Sequence, residues 1–119
     1  MKILCVEDDL DFATLLDNTL SASGHHVSTC NDGLEAVSQI QSGEFNLIFL
    51  DLGIPVLSGN EVIDRLANDD LLDSLNIVIL SANDLTQGEQ EEFAKKGIKE
   101  ILKKPVSLEK ILQAVERFE

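Results

Sequence analysis

Aromatic and basic residues are scarce in this sequence. Its 119 residues include no Trp, no Tyr and five Phe, and nine Lys and Arg stand against 22 Asp and Glu, a formal charge of −13. Proteins that hold nucleic acid take most of their affinity from Lys and Arg contacts to phosphate, and a strongly negative field repels that backbone. We therefore expect no direct nucleic-acid binding by this domain.

Long apolar runs are also missing. No stretch approaches the roughly 18 apolar residues that a membrane span needs, and the start, MKILCVEDDLDF, lacks the long apolar core of a secretory signal peptide. The two cysteines, Cys5 and Cys30, each lie within an apolar segment, where we expect reduced core thiols. These features predict no membrane segment and a cytoplasmic location.

The remaining composition is that of a globular domain. Hydrophobic residues make up 44% of the chain and charged residues 26%, which is too apolar for a disordered chain. The length lies in the usual range for one domain, so we expect a single domain over residues 1–119.

Short apolar runs alternate along the chain with segments of helical periodicity, and Gly or polar residues mark nearly every junction. The first periodic segment, for example, places Phe12, Leu15, Leu16 and Leu20 on one helical face. Such alternation is typical of βα repetition. The apolar runs predict five strands, at 3–6, 27–30, 47–50, 77–80 and 98–102, each followed by a helix.

Local signals mark the helix boundaries. Ser58 with Glu61 and Thr86 with Glu89 both match the capping box that begins many helices. A left-handed C-terminal cap is expected at the glycines that follow the first, second and fourth helices, namely Gly24, Gly43 and Gly97.

The strand sequences indicate the order of the sheet. A strand buried on both faces of a parallel sheet reads as continuous Val, Ile and Leu, as ILCV, LIFL and IVIL do. The polar groups in HHVSTC and KEILK are typical of edge strands. With right-handed crossovers, these constraints are satisfied by an α/β doubly wound, flavodoxin-like (βα)5 fold with strand order 2-1-3-4-5.

Chemically active side chains follow the strands of this predicted sheet. Ligands bind such sheets beyond the carboxyl ends of the strands, near the point where the strand order reverses. The residues at those ends are Glu7, Asp8 and Asp9 after the first strand, Asp51 after the third, Ser81 after the fourth, and Lys103, Lys104 and Pro105 after the fifth.

Two of these acids predict a metal site. Asp8 and Asp51 lie on neighbouring strands, where close carboxylates repel one another unless a cation neutralises them. Mg²⁺ suits a shallow site of oxygen ligands that also holds water and phosphate. Asp9 is better explained as a helix cap.

A lysine and a hydroxyl are predicted to face the acids. The ammonium of Lys104 could pair with Asp51 or with a phosphoryl group placed on it, and a cis bond before Pro105 would direct that lysine. Ser81 is either an ordinary strand-end cap or a donor to a phosphoryl oxygen.

Four motifs in order carry a resemblance to a known family. They are VEDD at 6–9, LDLGIPVLSG at 50–59, LSA at 80–82 and KKP at 103–105. Each motif alone is weak, but each stands at its expected strand end, and together they span essentially the whole chain. The sequence resembles the receiver domains of two-component response regulators, and in outline the single-domain chemotaxis regulator.

The resemblance implies a phosphorylation-activated switch that uses Mg²⁺. Asp51 would accept the phosphoryl group of a sensor histidine kinase or phosphotransfer protein, Lys104 would hold its charge, and Ser81 would move to bond it. Such a domain is not a turnover enzyme, although it phosphorylates itself from phosphodonors and removes the group again. The implied metal ligands are Asp8, Asp51 and the Gly53 carbonyl, with Glu7 acting mainly through water.

The resemblance also implies an output surface. A downstream partner or output domain would bind the face built from the fourth helix, the fifth strand and the fifth helix. Receivers commonly carry Tyr or Phe three residues before the lysine, where this chain has Ile101, so we expect a switch driven by Ser81 rather than by a rotating ring.

Other functions are less compatible with the residues. A flavodoxin-like electron carrier needs a hydroxyl- and Gly-rich phosphate loop after the first strand, and EDDLD would repel the flavin phosphate. A phosphatase with an aspartyl nucleophile normally shows a second acid two residues later, where this chain has Gly53. The remaining alternative is a pseudo-receiver that binds proteins without phosphorylation.

Overall fold

The computed structural model describes residues 1–119, in which five strands alternate with five helices. A short 3₁₀ turn, Leu72–Ser74, precedes the fourth strand. The strands are β1 Lys2–Val6, β2 His26–Cys30, β3 Leu47–Asp51, β4 Ile77–Ser81 and β5 Glu100–Lys103. The helices are α1 Leu10–Ala22, α2 Gly33–Ser42, α3 Gly59–Asn68, α4 Gln87–Lys96 and α5 Leu108–Phe118.

All five strands belong to one parallel sheet in the order β2-β1-β3-β4-β5. The predicted doubly wound α/β fold with flavodoxin-like strand order is therefore confirmed. Every residue of β3 and β4 is buried, whereas β2 and β5 are only partly buried. This difference follows from position, because central strands are covered on both faces and edge strands are not.

Helices cover both faces of the sheet and create two cores. Successive side chains of a strand point to opposite faces, so Leu4 and Val6 enter the core beneath α2 and α3, while Ile3 and Cys5 enter the core beneath α1 and α5. Cys30 lies in the first of these cores, on the other side of the sheet from Cys5. Burial raises the pKa of both free thiols to about 12, so they stay protonated.

The helix caps agree with the sequence at most positions. Both predicted capping boxes form, and Gly24 and Gly97 adopt the left-handed conformation, with φ of 93° and 109°. The prediction for Gly43 is wrong, because its φ is −100° and ψ 171°. A Cβ atom at this position would lie 2.7 Å from the Phe45 ring, so close packing is what requires a glycine there.

The fifth strand begins two residues later than predicted. The amide of Ile98 bonds to the carbonyl of Phe93, which makes Ile98 part of the turn that ends α4. Its side chain is buried there, so it has the hydrophobicity of a strand residue without strand pairing. None of the helices combines the length and the apolar composition that crossing a bilayer requires.

Candidate functional site

The parallel register brings the polar strand ends to one edge of the sheet. Val6 pairs with Leu50, and Ser81 pairs with Lys103, so the residues that follow β1, β3, β4 and β5 meet there. The amide of Lys104 donates to the carbonyl of Ser81 at 2.8 Å, which ties the end of β5 to the end of β4. The peptide bond between Lys104 and Pro105 is cis.

Lys104 lies between two buried carboxylates. Its Nζ is 2.5 Å from Glu7 Oε1 and 2.9 Å from Asp51 Oδ2. The second oxygen of each acid accepts a backbone bond: the amide of Asp9 donates to Glu7 Oε2 at 3.2 Å, and the amide of Gly53 donates to Asp51 Oδ1 at 2.9 Å. Each carboxylate is thus held by one ammonium contact and one amide.

Burial and charge shift the pKa values of these three groups in different directions. Burial raises the pKa of Glu7 to about 7, helped by the neighbouring Asp51 carboxylate. Burial also opposes ionisation of Asp51, but hydrogen bonds from Glu7, Gly53 and Lys104 outweigh it and lower the Asp51 pKa. Burial similarly opposes the charge of Lys104, and its bonds to the two acids reverse that effect and raise its pKa. Asp51 and Lys104 therefore remain an ion pair at neutral pH.

Three carboxylates at this edge fit a hard divalent cation. Glu7, Asp8 and Asp51 each offer an oxygen, and these oxygens lie within 4.8 Å of one another. Asp8 is exposed to solvent, whereas the other two acids are buried, so the cluster opens to water on one side. An all-oxygen donor set that retains water positions is the coordination that Mg²⁺ prefers. Asp9, in contrast, caps α1 by accepting the amides of Asp11 and Phe12, as predicted.

Ser81 reaches the same edge, where its hydroxyl bonds to the backbone of Asn83. Its side chain is nearly fully buried, and the hydroxyl donates to the carbonyl of Asn83 at 3.0 Å while accepting the amide of Asn83 at 3.3 Å. The hydroxyl is therefore engaged with its own loop.

Two cavities flank the pair of Lys104 and Ser81. One, of about 370 Å³, is lined by Asp9, Phe12, Ala82, Lys104, Pro105 and Val106. The other, of about 230 Å³, lies behind Ser81 and includes Leu85 and Ile101. Ile101 is half-buried and packs against the core beneath α2 and α3. Lys103 points outward and forms an ion pair with Asp84 of the loop after β4.

Two contacts of the site have no counterpart in the sequence pattern. The first is the direct ion pair between Glu7 and Lys104, since the motif indicates an acid at position 7 but not its partner. The second is the ring of Phe12, whose centroid lies 5.4 Å from Lys104 Nζ. Helical periodicity assigns Phe12 to the core. The one sequence feature that could have placed it near the site is its position in the first helical turn after the acids.

Comparison with curated proteins gives matches along nearly the whole chain. The chain is 33% identical over 115 residues to response regulator MprA of Mycobacterium leprae, which covers 97% of this chain and 49% of that protein. It is 26% identical over 117 residues to the polar-differentiation response regulator DivK of Brucella anthropi, covering 98% and 94%. The chain thus spans about half the length of MprA and nearly all of DivK.

Solved receiver domains have the same fold. The receiver domain of Francisella response regulator 1452 superposes with a TM-score of 0.87 at 26% identity, covering 98% of this chain and 94% of that one. The receiver domain of sensor histidine kinase PA1611 from Pseudomonas aeruginosa, solved with a magnesium ion coordinated in its active site cleft, superposes with a TM-score of 0.83 at 27% identity, covering 98% and 95%.

A family model covers the same span. The model of the response regulator receiver domain matches residues 3–116, which run from within β1 into α5. The acidic cluster, Lys104 and Ser81 at the carboxyl edge lie within this match. The chain therefore belongs to the response regulator receiver domains, the signalling switches of two-component systems.

Proposed function

We propose that residues 1–119 form one receiver domain in which Asp51 accepts a phosphoryl group from a phosphohistidine. The donor is a sensor histidine kinase or a phosphotransfer protein. The observation that carries this proposal is the Asp51 carboxylate, whose side chain is only 8% exposed and which has an ammonium on one oxygen and an amide on the other. A low pKa keeps this carboxylate ionised and able to act as a nucleophile.

The proposal includes Mg²⁺, held directly by Asp8, Asp51 and the backbone carbonyl of Gly53, with Glu7 acting through water. Support comes from the three clustered oxygens and from the chemistry of the donor set. When bound, the ion supplies positive charge to the phosphoryl oxygens and helps to orient them.

The transfer needs positioning and charge more than covalent assistance from the protein. A carboxylate oxygen of Asp51 forms the new bond to phosphorus, the bond from phosphorus to the imidazole nitrogen breaks, and the released imidazole takes up a proton. Lys104 then turns its ammonium from the carboxylate to the phosphoryl oxygens, where it offsets the added charge. Water attack on phosphorus later breaks the acyl phosphate and returns the Asp51 carboxylate, so the domain also dephosphorylates itself.

The phosphoryl group would operate the switch through Ser81. It adds nearly two negative charges beside Lys104, and the hydroxyl of Ser81 exchanges its bond with the Asn83 carbonyl for one with a phosphoryl oxygen. The loop after β4 then moves with Ser81, and the ion pair between Asp84 and Lys103 links this loop to the end of β5. A ring at position 101 is not required, because Ile101 only packs beside the cavity behind Ser81.

The moving loop leads into the face on which we place the output partner. This face consists of α4, β5 and α5, and a downstream protein or an output domain would bind it in one of its two states. The domain acts as a switch and not as a turnover enzyme. The two free, buried thiols support a cytoplasmic location.

Incubation with acetyl phosphate and Mg²⁺ tests the proposal. Intact-mass spectrometry is expected to show a gain of one phosphoryl group that base or hydroxylamine removes, and none in Asp51→Asn. Asp32→Asn is the matched control, because Asn also caps a helix and Asp32 caps α2 away from the lysine. A wild-type mass that stays unchanged, or an equal gain in Asp51→Asn, would contradict the assignment and favour a binding module that works without phosphorylation.

A further inference from the structure

A neutral contact accompanies the two charged contacts of Lys104. The centroid of the Phe12 ring lies 5.4 Å from Lys104 Nζ, within the range of a cation–π interaction. We propose that Phe12 is a positioning residue that holds the Lys104 ammonium at the phosphoryl site through the face of its ring. This inference rests on the proposed phosphorylation of Asp51.

The ring is anchored by a different element from the carboxylates. Glu7 and Asp51 follow the central strands β1 and β3, whereas Phe12 lies in the first turn of α1. The Asp9 side chain accepts the Phe12 amide at 3.2 Å and so sets the position of this turn. The Lys104 side chain is 21% exposed, so its attraction to the ring is only partly screened by water.

A ring serves the reaction in a way that a third carboxylate would not. The carboxylates of Glu7 and Asp51 that now hold Lys104 belong to the cluster that fits a cation, and Asp51 is the proposed acceptor. Both ionic contacts therefore change during the reaction, whereas the contact with Phe12 involves neither carboxylate. Because the ring carries no net charge, it holds the ammonium without neutralising it, and the full charge remains available for the phosphoryl oxygens.

Phe12 also packs against the core, and substitutions at this position separate that packing from the contact between the ring face and Lys104. The ring packs against the core beneath α1 and α5, and Leu at this position keeps an apolar side chain without the ring face. We expect Phe12→Leu to accept phosphate from acetyl phosphate about three- to fivefold more slowly than wild type, and Phe12→Tyr to keep the wild-type rate. Phe45→Leu is the matched control, because Phe45 holds Lys2 at 5.0 Å and precedes β3 at the opposite edge of the sheet.

Two further measurements respond to the ring face alone. In the metal-free protein, the ring current of Phe12 should shift the NMR signals of the Lys104 ε-methylene. These signals are assigned by their absence from the spectrum of Lys104→Arg. That shift should vanish in Phe12→Leu and persist in Phe12→Tyr. Site-specific replacement of Phe12 by mono-, di- and trifluorophenylalanine should lower the phosphorylation rate stepwise, because fluorine weakens the negative ring face with little change in shape.

The outcomes distinguish this inference from the proposed function. A wild-type protein that gains no phosphoryl group overturns the proposed function and this inference with it. A wild type that is phosphorylated normally, with Phe12→Leu equally fast or with fluorination lacking effect, overturns the role of Phe12 alone. If Phe12→Leu shows an unfolded circular dichroism spectrum, the fluorinated series decides, because those proteins keep the ring.

Discussion

The buried carboxyl of Glu7 makes the stability of this domain depend on pH in a calculable way. Its side chain is 1% exposed, and burial beside Asp51 raises its pKa from 4.5 to about 7. The folded protein therefore holds this proton more tightly than the unfolded chain does. Protonated Glu7 stabilises the fold fully below pH 4.5, and this contribution is lost as the pH rises through about 7.

The size of the effect follows from the pKa values. The rise from 4.5 to about 7 amounts to about 2.5 pH units, and each unit corresponds to about 1.4 kcal/mol at 25 °C. The contribution is therefore up to about 3–4 kcal/mol, which is a large part of the stability of a small domain. Glu7→Gln cannot ionise and lacks this dependence. Part of this contribution is already lost at pH 5, so between pH 5 and pH 8 the variant should gain about 2–3 kcal/mol of stability relative to wild type.

Urea denaturation followed by circular dichroism measures the difference. Both proteins are unfolded at pH 5, 6, 7 and 8 in the presence of a chelator, and subtraction removes the titrations that they share. Glu109→Gln, which changes an exposed carboxylate of α5, is the matched control: it keeps Glu7, and its stability should follow that of wild type from pH 5 to pH 8. A difference between Glu7→Gln and wild type that stays constant from pH 5 to pH 8, or that moves against the variant as the pH rises, would refute the reasoning.

Two further predictions concern the metal cluster and the space around two helical glycines. Asp8→Ala should weaken Mg²⁺ binding by at least about tenfold in calorimetric titration, and equal affinity in the variant would remove Asp8 from the ligand set. Gly33→Ala should lower the free energy of unfolding by about 2 kcal/mol or more, because the added Cβ would lie 2.0 Å from the carbonyl oxygen of Leu57. Gly88 lies in α4, and a Cβ there would come no nearer than 3.9 Å to another atom, so Gly88→Ala should instead raise the free energy of unfolding by about 0.5 kcal/mol. The reverse order of the two glycine variants in urea denaturation would contradict the packing explanation.

The architecture could be predicted from short-range patterns. Continuous apolar runs identified β1, β3 and β4 as central strands, because only strands covered on both faces can be apolar at every position. Capping boxes at Ser58 and Thr86 located two helix starts, because those bonds form within four consecutive residues. The strand order then followed from burial and from the handedness of the crossovers.

Predictions failed where one residue type is compatible with two local structures. Gly43 looked like a left-handed cap, yet its backbone is extended, and the nearby Phe45 ring leaves no room for a side chain there. Ile98 looked like the start of a strand, yet it completes the turn after α4 and fills the core. Glycine and isoleucine are each compatible with two local structures, and the sequence pattern alone does not choose between them.

The sequence by itself determined that acids, a serine and a lysine follow neighbouring parallel strands, and hence that they share one edge of the sheet. The tertiary structure decided how these groups pair. It places Lys104 between Glu7 and Asp51, turns Ser81 toward Asn83, and sets the ring of Phe12 beside the ammonium. The physical reason is that strand pattern specifies which edge a residue reaches, whereas hydrogen-bond partners and pKa values depend on distances of a few ångströms that only the packed side chains define.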